Sequence, residues 1–138
     1  MLDRAGTGRR ISARSGISAS ATAYPSGTAQ VGAIAVPTAA KGSITHVLIN
    51  ATATGGAPPV IGSLFGYSAE LDRWYVLDQL NGGATITPST KTGAADGNNT
   101  HYAETFSHIS MWDKLFVILT TIAGTDQSVA VDYIFEEP

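Results

Sequence analysis

The chain has no cysteine. Disulfide stapling, thiolate zinc sites and thiol catalysis are therefore excluded. Charge is scarce too: acidic and basic residues make up 14% of the 138 residues, against about 25% in an average soluble domain. Thr, Ser, Asn, Gly and Ala must then form most of the surface, and little like-charge repulsion keeps copies apart. Long apolar runs are missing as well. The longest, Leu115 to Ile122, falls far short of the roughly 20 residues that span a bilayer as a helix. No continuous apolar stretch follows the basic start, so neither a signal peptide nor a twin-arginine export signal is expected. The expectation is a protein made in a cytoplasm, with no membrane partner. No stretch beyond about ten residues combines a helical period with caps.

The charge that is present is divided. Residues 1–14 hold Arg4, Arg9, Arg10 and Arg14 against Asp3, a balance of +3. With a net charge of −3 overall, the rest of the chain carries −6. No charge occurs from Ser15 to Ala40. A segment of Gly, Ser, Ala and Thr with isolated apolar residues buries too little surface to offset its ordering entropy. Residues 1–28 are therefore expected to be an extended basic arm, and residues 29–138 a single domain. Residues 1–24 are expected to make few contacts with their own body. The four arginines are the expected partner-binding residues, meeting acidic groups on a neighbour. Four arginines without interleaved aromatics make a poor nucleic-acid signature, and an acidic body argues against one further.

Strand signals dominate the remainder. Ile17 to Tyr24 alternates small apolar and hydroxyl residues, and Pro25-Ser26-Gly27 is turn chemistry. Ala29 to Val36, Ser43 to Ala53, Val60 to Tyr67, Arg73 to Leu80, Trp112 to Thr121 and Ser128 to Phe135 read as strands. Asn81-Gly82 is a type I′ hairpin signal, with Ala84 to Thr87 as the return strand. Pro88 to Asn99 is a polar, glycine-rich loop, and Tyr102 to Met111 could make a helical turn or two. About eight short strands between turn signals point to an all-β fold, an antiparallel β-sandwich of jelly-roll type. Val47, Ile49, Trp74, Val76, Leu115, Val117 and Leu119 are the expected core, with Phe116 and Ile118 on the other face of their strand.

Catalytic constellations are not evident. His46 lies mid-strand between apolar neighbours, where a satisfied, partly buried imidazole is the simpler reading. No closely spaced histidine pair offers a metal site. Asp72 and Asp78 are too far apart along one strand for a glycosidase pair. Asp72 and Asp126 read as turn residues, and Asp113 as a solvated strand residue. Glu104, Asp113 and Asp126 could converge only through tertiary structure. Asp96-Gly97-Asn98-Asn99 lacks the closing Glu of a calcium loop. Gly66-Tyr67-Ser68-Ala69-Glu70 lacks the last glycine of a hydrolase elbow. No enzyme activity, cofactor or metal is expected. Trp74, Tyr75, Trp112, Tyr102 and Tyr67 could form a sugar-stacking platform, but core packing and cross-strand pairing are the simpler reading.

The stretch Trp74-Tyr75-Val76-Leu77-Asp78-Gln79-Leu80-Asn81-Gly82-Gly83, with Lys114-Leu115-Phe116-Val117-Ile118 and Ala123-Gly124-Thr125, resembles small β-sandwich virion proteins of tailed bacteriophages. The resemblance implies a capsid decoration or head-auxiliary subunit that binds the coat-protein shell or neighbouring virion subunits. It also implies a homo-oligomer, a trimer first, located in the virion. The alternative is a carbohydrate- or receptor-binding sandwich on a virion fibre or secreted protein.

Overall fold

The computed structural model describes residues 10–17, 24–28, 30, 32–42, 44–52, 60–86, 99–122 and 128–136. Among these residues the chain is all-β and antiparallel. Its strands are β1 (Arg10–Ile17), β2 (Ile34–Ala35), β3 (Thr45–Thr52), β4 (Val60–Ser68), β5 (Arg73–Gln79), β6 (Asn99–Phe106), β7 (Lys114–Ile122) and β8 (Ser128–Glu136). They form two four-stranded sheets. The first has the order β1-β8-β3-β6 and the second β2-β7-β4-β5. No described helix is long and apolar enough to cross a membrane.

Period-two patterning sets which residues go inward. On β3, Thr45, Val47, Ile49 and Ala51 are buried, while His46, Leu48 and Asn50 are half exposed. Val131, Tyr133 and Phe135 of β8 and Tyr102 and Phe106 of β6 share that inner face. The second sheet answers with Val60 and Leu64 of β4 and Leu115, Val117 and Leu119 of β7. The apolar side chains of these two inner faces belong to one core cluster drawn from both sheets. Phe116 and Ile118 turn to the opposite face of β7 and are buried there with Phe65, against Ala33 and Trp74. The segment Tyr24–Thr28 lies near this outer face. The Tyr24 ring meets Phe65 edge-on at 5.4 Å, and the Trp74 indole N–H donates to the Gly27 carbonyl at 3.0 Å.

Several expectations change. Val76 is 64% exposed and Trp74 only half buried. Both lie on β5, which ends the second sheet, and no described strand covers its far side. Trp112 precedes β7 and packs against the main core. The stretch from Asn99 to Phe106 is strand β6, and only Ile109–Met111 makes a 3-10 turn. Residues 18–23 and 87–98 lie outside the described residues. They include most of the expected first strand, most of the polar loop and most of the proposed calcium-like turn.

Asn81 and Gly82 do take positive φ, 54° and 62°. They do not reverse the chain. Ile86 pairs antiparallel with Val60 of β4, so it runs in the same sense as β5, which pairs antiparallel with the same strand. The residues between form an excursion that drops Leu80 into the core. Gly62 makes room for it: a Cβ there would stand 2.7 Å from Leu80 Cδ1. Burial of Leu80 thus overrides a local hairpin signal.

The arm differs most. Arg10–Ile17 pairs along its whole length with β8, in the register Arg10↔Glu136, Ala13↔Tyr133 and Ile17↔Val129. This part of the chain is a strand of the first sheet, not a segment with few contacts to its own body. Ile11, Ala13, Ser15 and Ile17 stand in register opposite Phe135, Tyr133, Val131 and Val129.

Two core substitutions test this packing. Leu115→Ala should cost about 2–5 kcal/mol, whereas Val76→Ala should stay within about 0.5 kcal/mol. The Tyr133 hydroxyl is buried without a hydrogen-bond partner among the described residues. Tyr133→Phe should therefore stabilise the protein by about 1 kcal/mol. Urea unfolding midpoints check all three, and a loss of stability in Tyr133→Phe would show that the hydroxyl is satisfied.

Candidate functional site

The densest polar constellation lies where the β4–β5 turn meets the start of β7. Asp113 is its centre. Its backbone N–H donates to the Tyr67 carbonyl and its carbonyl accepts from Val36 N–H, both at 2.9 Å. Its carboxylate accepts from the Ala69 N–H at 2.8 Å and pairs with the Lys41 ammonium at 3.0 Å. Lys41 also donates to the Trp112 carbonyl at 2.9 Å. Asp113 therefore ties β2, the 3-10 turn after it, β4 and the β4–β5 turn together; it is not a free solvated carboxylate. The Ala69 N–H, followed by Lys41, holds its carboxyl below the ordinary aspartate range.

Beside it, the Tyr67 hydroxyl donates to Asp72, which sits in the turn at φ 52°. That hydrogen bond, then burial, pushes the phenol up to about 12. The Lys114 ammonium lies 5.6 Å from the centre of the Tyr67 ring, in cation–π range, and also donates to the Thr28 carbonyl. Leu71 N–H donates to Ser68 Oγ at 3.2 Å, a turn bond. An open cleft of about 430 Å³ is lined by Ser68, Glu70, Met111, Trp112 and Asp113. Its carboxylate at Asp113 is already occupied by Lys41 and Ala69. This arrangement holds a turn in place.

The outer face of the first sheet holds the histidine chemistry. His46 Nε2 lies 2.5 Å from a Glu136 oxygen, and its Nδ1 lies 2.9 Å from Thr105 Oγ1. Both ring nitrogens are engaged, which is the satisfied, partly buried imidazole expected from its setting. Asn50 donates to Asp132 at 2.8 Å and lies 3.2 Å from His101 Nδ1. Of the four arm arginines, Arg10 and Arg14 stand in the β1 register opposite Glu136 and Asp132. Arg4 and Arg9 lie outside the described residues. The register thus sets two of the arginines beside acids of their own chain, a juxtaposition that charge counting alone could not locate.

The remaining candidates are dispersed. Glu104 accepts from the Asn81 N–H and from the Tyr102 hydroxyl, so it braces the Leu80 excursion on β6. Burial, followed by that bond, raises the Tyr102 phenol well above its ordinary value. Asp126 lies outside the described residues. Asp78 accepts from the Gln79 N–H. Among the described residues no three His, Cys, Asp or Glu side chains gather to hold a metal. The five aromatics separate as well. Tyr67 and Trp74 pair on the outer face of the second sheet, tilted 48°. Tyr75 and Trp112 pair elsewhere, tilted 42°, with Trp112 packed over the Gly66 backbone. Tyr102 is buried in the core.

Two measurements test this hub. Asp113 has a depressed folded-state value, so its contribution is present above the unfolded carboxylate range and is lost as pH falls through the folded value. Wild type should lose stability below about pH 4, and Asp113→Asn should flatten that slope. Equal acid slopes in the two proteins would remove Asp113 from the hub. Asp72→Ala should move the Tyr67 phenolate transition, read by absorbance at alkaline pH, from about 12 toward its ordinary 10.0.

No protein-family model matches the chain, no curated protein matches its sequence, and no solved structure matches its fold.

Proposed function

We propose that this chain is a structural subunit of a particle, a jelly-roll β-sandwich that decorates or joins a virion coat-protein shell. The observation that carries the reading is the strand order. Of the direct steps from one strand to the next, only β4 to β5 stays within a sheet, and within the sheets the orders are β1-β8-β3-β6 and β2-β7-β4-β5. This is the order of two interlocked Greek keys, the arrangement of jelly rolls, which serve in viral capsids and in lectins. The inference is one of fold analogy. Two further features support a structural role. Charge is sparse, and the Asp113 carboxylate in the described cleft is engaged by Ala69 and Lys41 of the chain itself.

The lectin use of the same architecture corresponds to carbohydrate binding. The dispersal of the five aromatics over the outer sheet face, the cleft and the core weighs against it. Sugar recognition draws on exposed, parallel ring faces, and the Tyr75–Trp112 pair is tilted by 42°.

The test is to recover the protein from its natural source and measure the mass of the species that carries it. Co-migration with a coat-protein particle, and rebinding of purified protein to stripped shells, are the expected results. Deleting residues 1–17 should lower both stability and shell occupancy, since the deletion removes β1 and leaves β8 as a new sheet edge. Recovery only as a free species that binds glycans and no shell would replace this reading with the lectin one.

A further inference from the structure

A sheet edge with unpaired N–H and C=O groups is a template for another strand, and proteins blunt their edges with charge, brevity or cover. Three of the four edges here are blunted. β2 has two residues. β1 carries Arg10 and Arg14. β6 carries Glu104 and His101. The edge at β5 differs. No described strand lies on its far side. Its middle, Trp74-Tyr75-Val76-Leu77, has no charge and no proline. Both of its faces are apolar: Val76, 64% exposed, stands opposite Phe65, and Tyr75, 37% exposed, stands opposite Gly66 on the other face. Leu71 and Met111, 59% and 67% exposed, add apolar surface in the neighbouring turns.

The ends of the strand select its occupant. Arg73 begins β5, Asp78 comes one residue before its end, and both are exposed. A second copy of β5 added in parallel would set Arg73 beside Arg73 and Asp78 beside Asp78, which is repulsive. Added antiparallel, it brings each Arg73 toward the Asp78 of the other copy and sets the apolar middles together. We propose that β5 is the self-association edge of this protein. Two copies join antiparallel through it about a two-fold axis, merging their second sheets into one continuous sheet. A two-fold contact is self-complementary by construction, and a strand with opposite charges at its two ends meets that condition. Main-chain hydrogen bonds supply adhesion, as in other strand additions. The terminal charges supply direction, and salt weakens them. The proposal concerns the free protein in solution and stands whether or not the virion reading holds.

The experiment uses the full chain and three variants in sedimentation equilibrium, with circular dichroism as the folding control. Wild type should sediment as a dimer at high micromolar concentration. Arg73→Asp makes both ends of β5 acidic, and Asp78→Arg makes both basic. Each variant alone should be monomeric, while an equimolar mixture should restore the dimer mass as a hetero-pair. Val76→Lys, at an exposed site, should stay folded and be monomeric. A folded monomeric wild type overturns the proposal. So does an oligomer that all three variants leave intact, and so does a mixture that remains monomeric. The cysteine-free chain offers an independent readout: Val76→Cys carries the only thiol, and its oxidation should trap a covalent dimer that wild type cannot form. No cross-linked dimer from the folded variant counts against the pairing.

Discussion

The fold depends on one constraint: the inner faces of β3 and β8 must meet those of β4 and β7. Val47, Ile49, Tyr133 and Phe135 come from one sheet and Leu64, Leu115, Val117 and Leu119 from the other, and all lie in a single cluster. Each side chain fully buried there contributes on the order of 1.5–3 kcal/mol. Neither sheet can bury its apolar face alone. Each central strand also follows a connection that changes sheet, so the core closes only when distant segments have arrived. β1 pairs with β8 across nearly the whole length of the chain. Such contacts pay loop-closure entropy before they return any stability.

The polar chemistry serves this packing. Asp113 uses backbone and side chain together to fasten β2, β4 and the β4–β5 turn at one end of the core. Glu104 fastens the Leu80 excursion to β6 through Asn81 and Tyr102. His46 bridges three strands of the first sheet through Thr105 and Glu136. In each case the ionisable group is satisfied by partners that immobilise it.

In a protein with so little charge, the surface is distinguished by where charge and cover are withheld. The outer face of the second sheet buries Phe65, Phe116 and Ile118 as a second cluster, with the Tyr24–Thr28 segment alongside. The β5 edge has no comparable cover among the described residues. Strand order carries the functional reading, and the charge pattern of one edge carries the self-association.

The sequence by itself determined the class of fold and most of its strands. Alternation placed Val47 and Ile49 inside and His46 outside, and set Leu115, Val117 and Leu119 against Phe116 and Ile118, because side chains alternate faces whatever the partner strand. It also located the positive φ at Asn81 and Gly82. Only the tertiary structure decided the rest. Alternation cannot tell a central strand from an edge, so Val76, patterned like a core residue, lies exposed at the end of a sheet. A turn signal cannot foresee that burying Leu80 beside Gly62 gains more than a hairpin. Composition called residues 10–17 a basic arm. The ladder to β8 makes them a strand, because the edge of an existing sheet supplies the backbone hydrogen bonds that a Gly/Ser/Ala-rich segment cannot supply for itself.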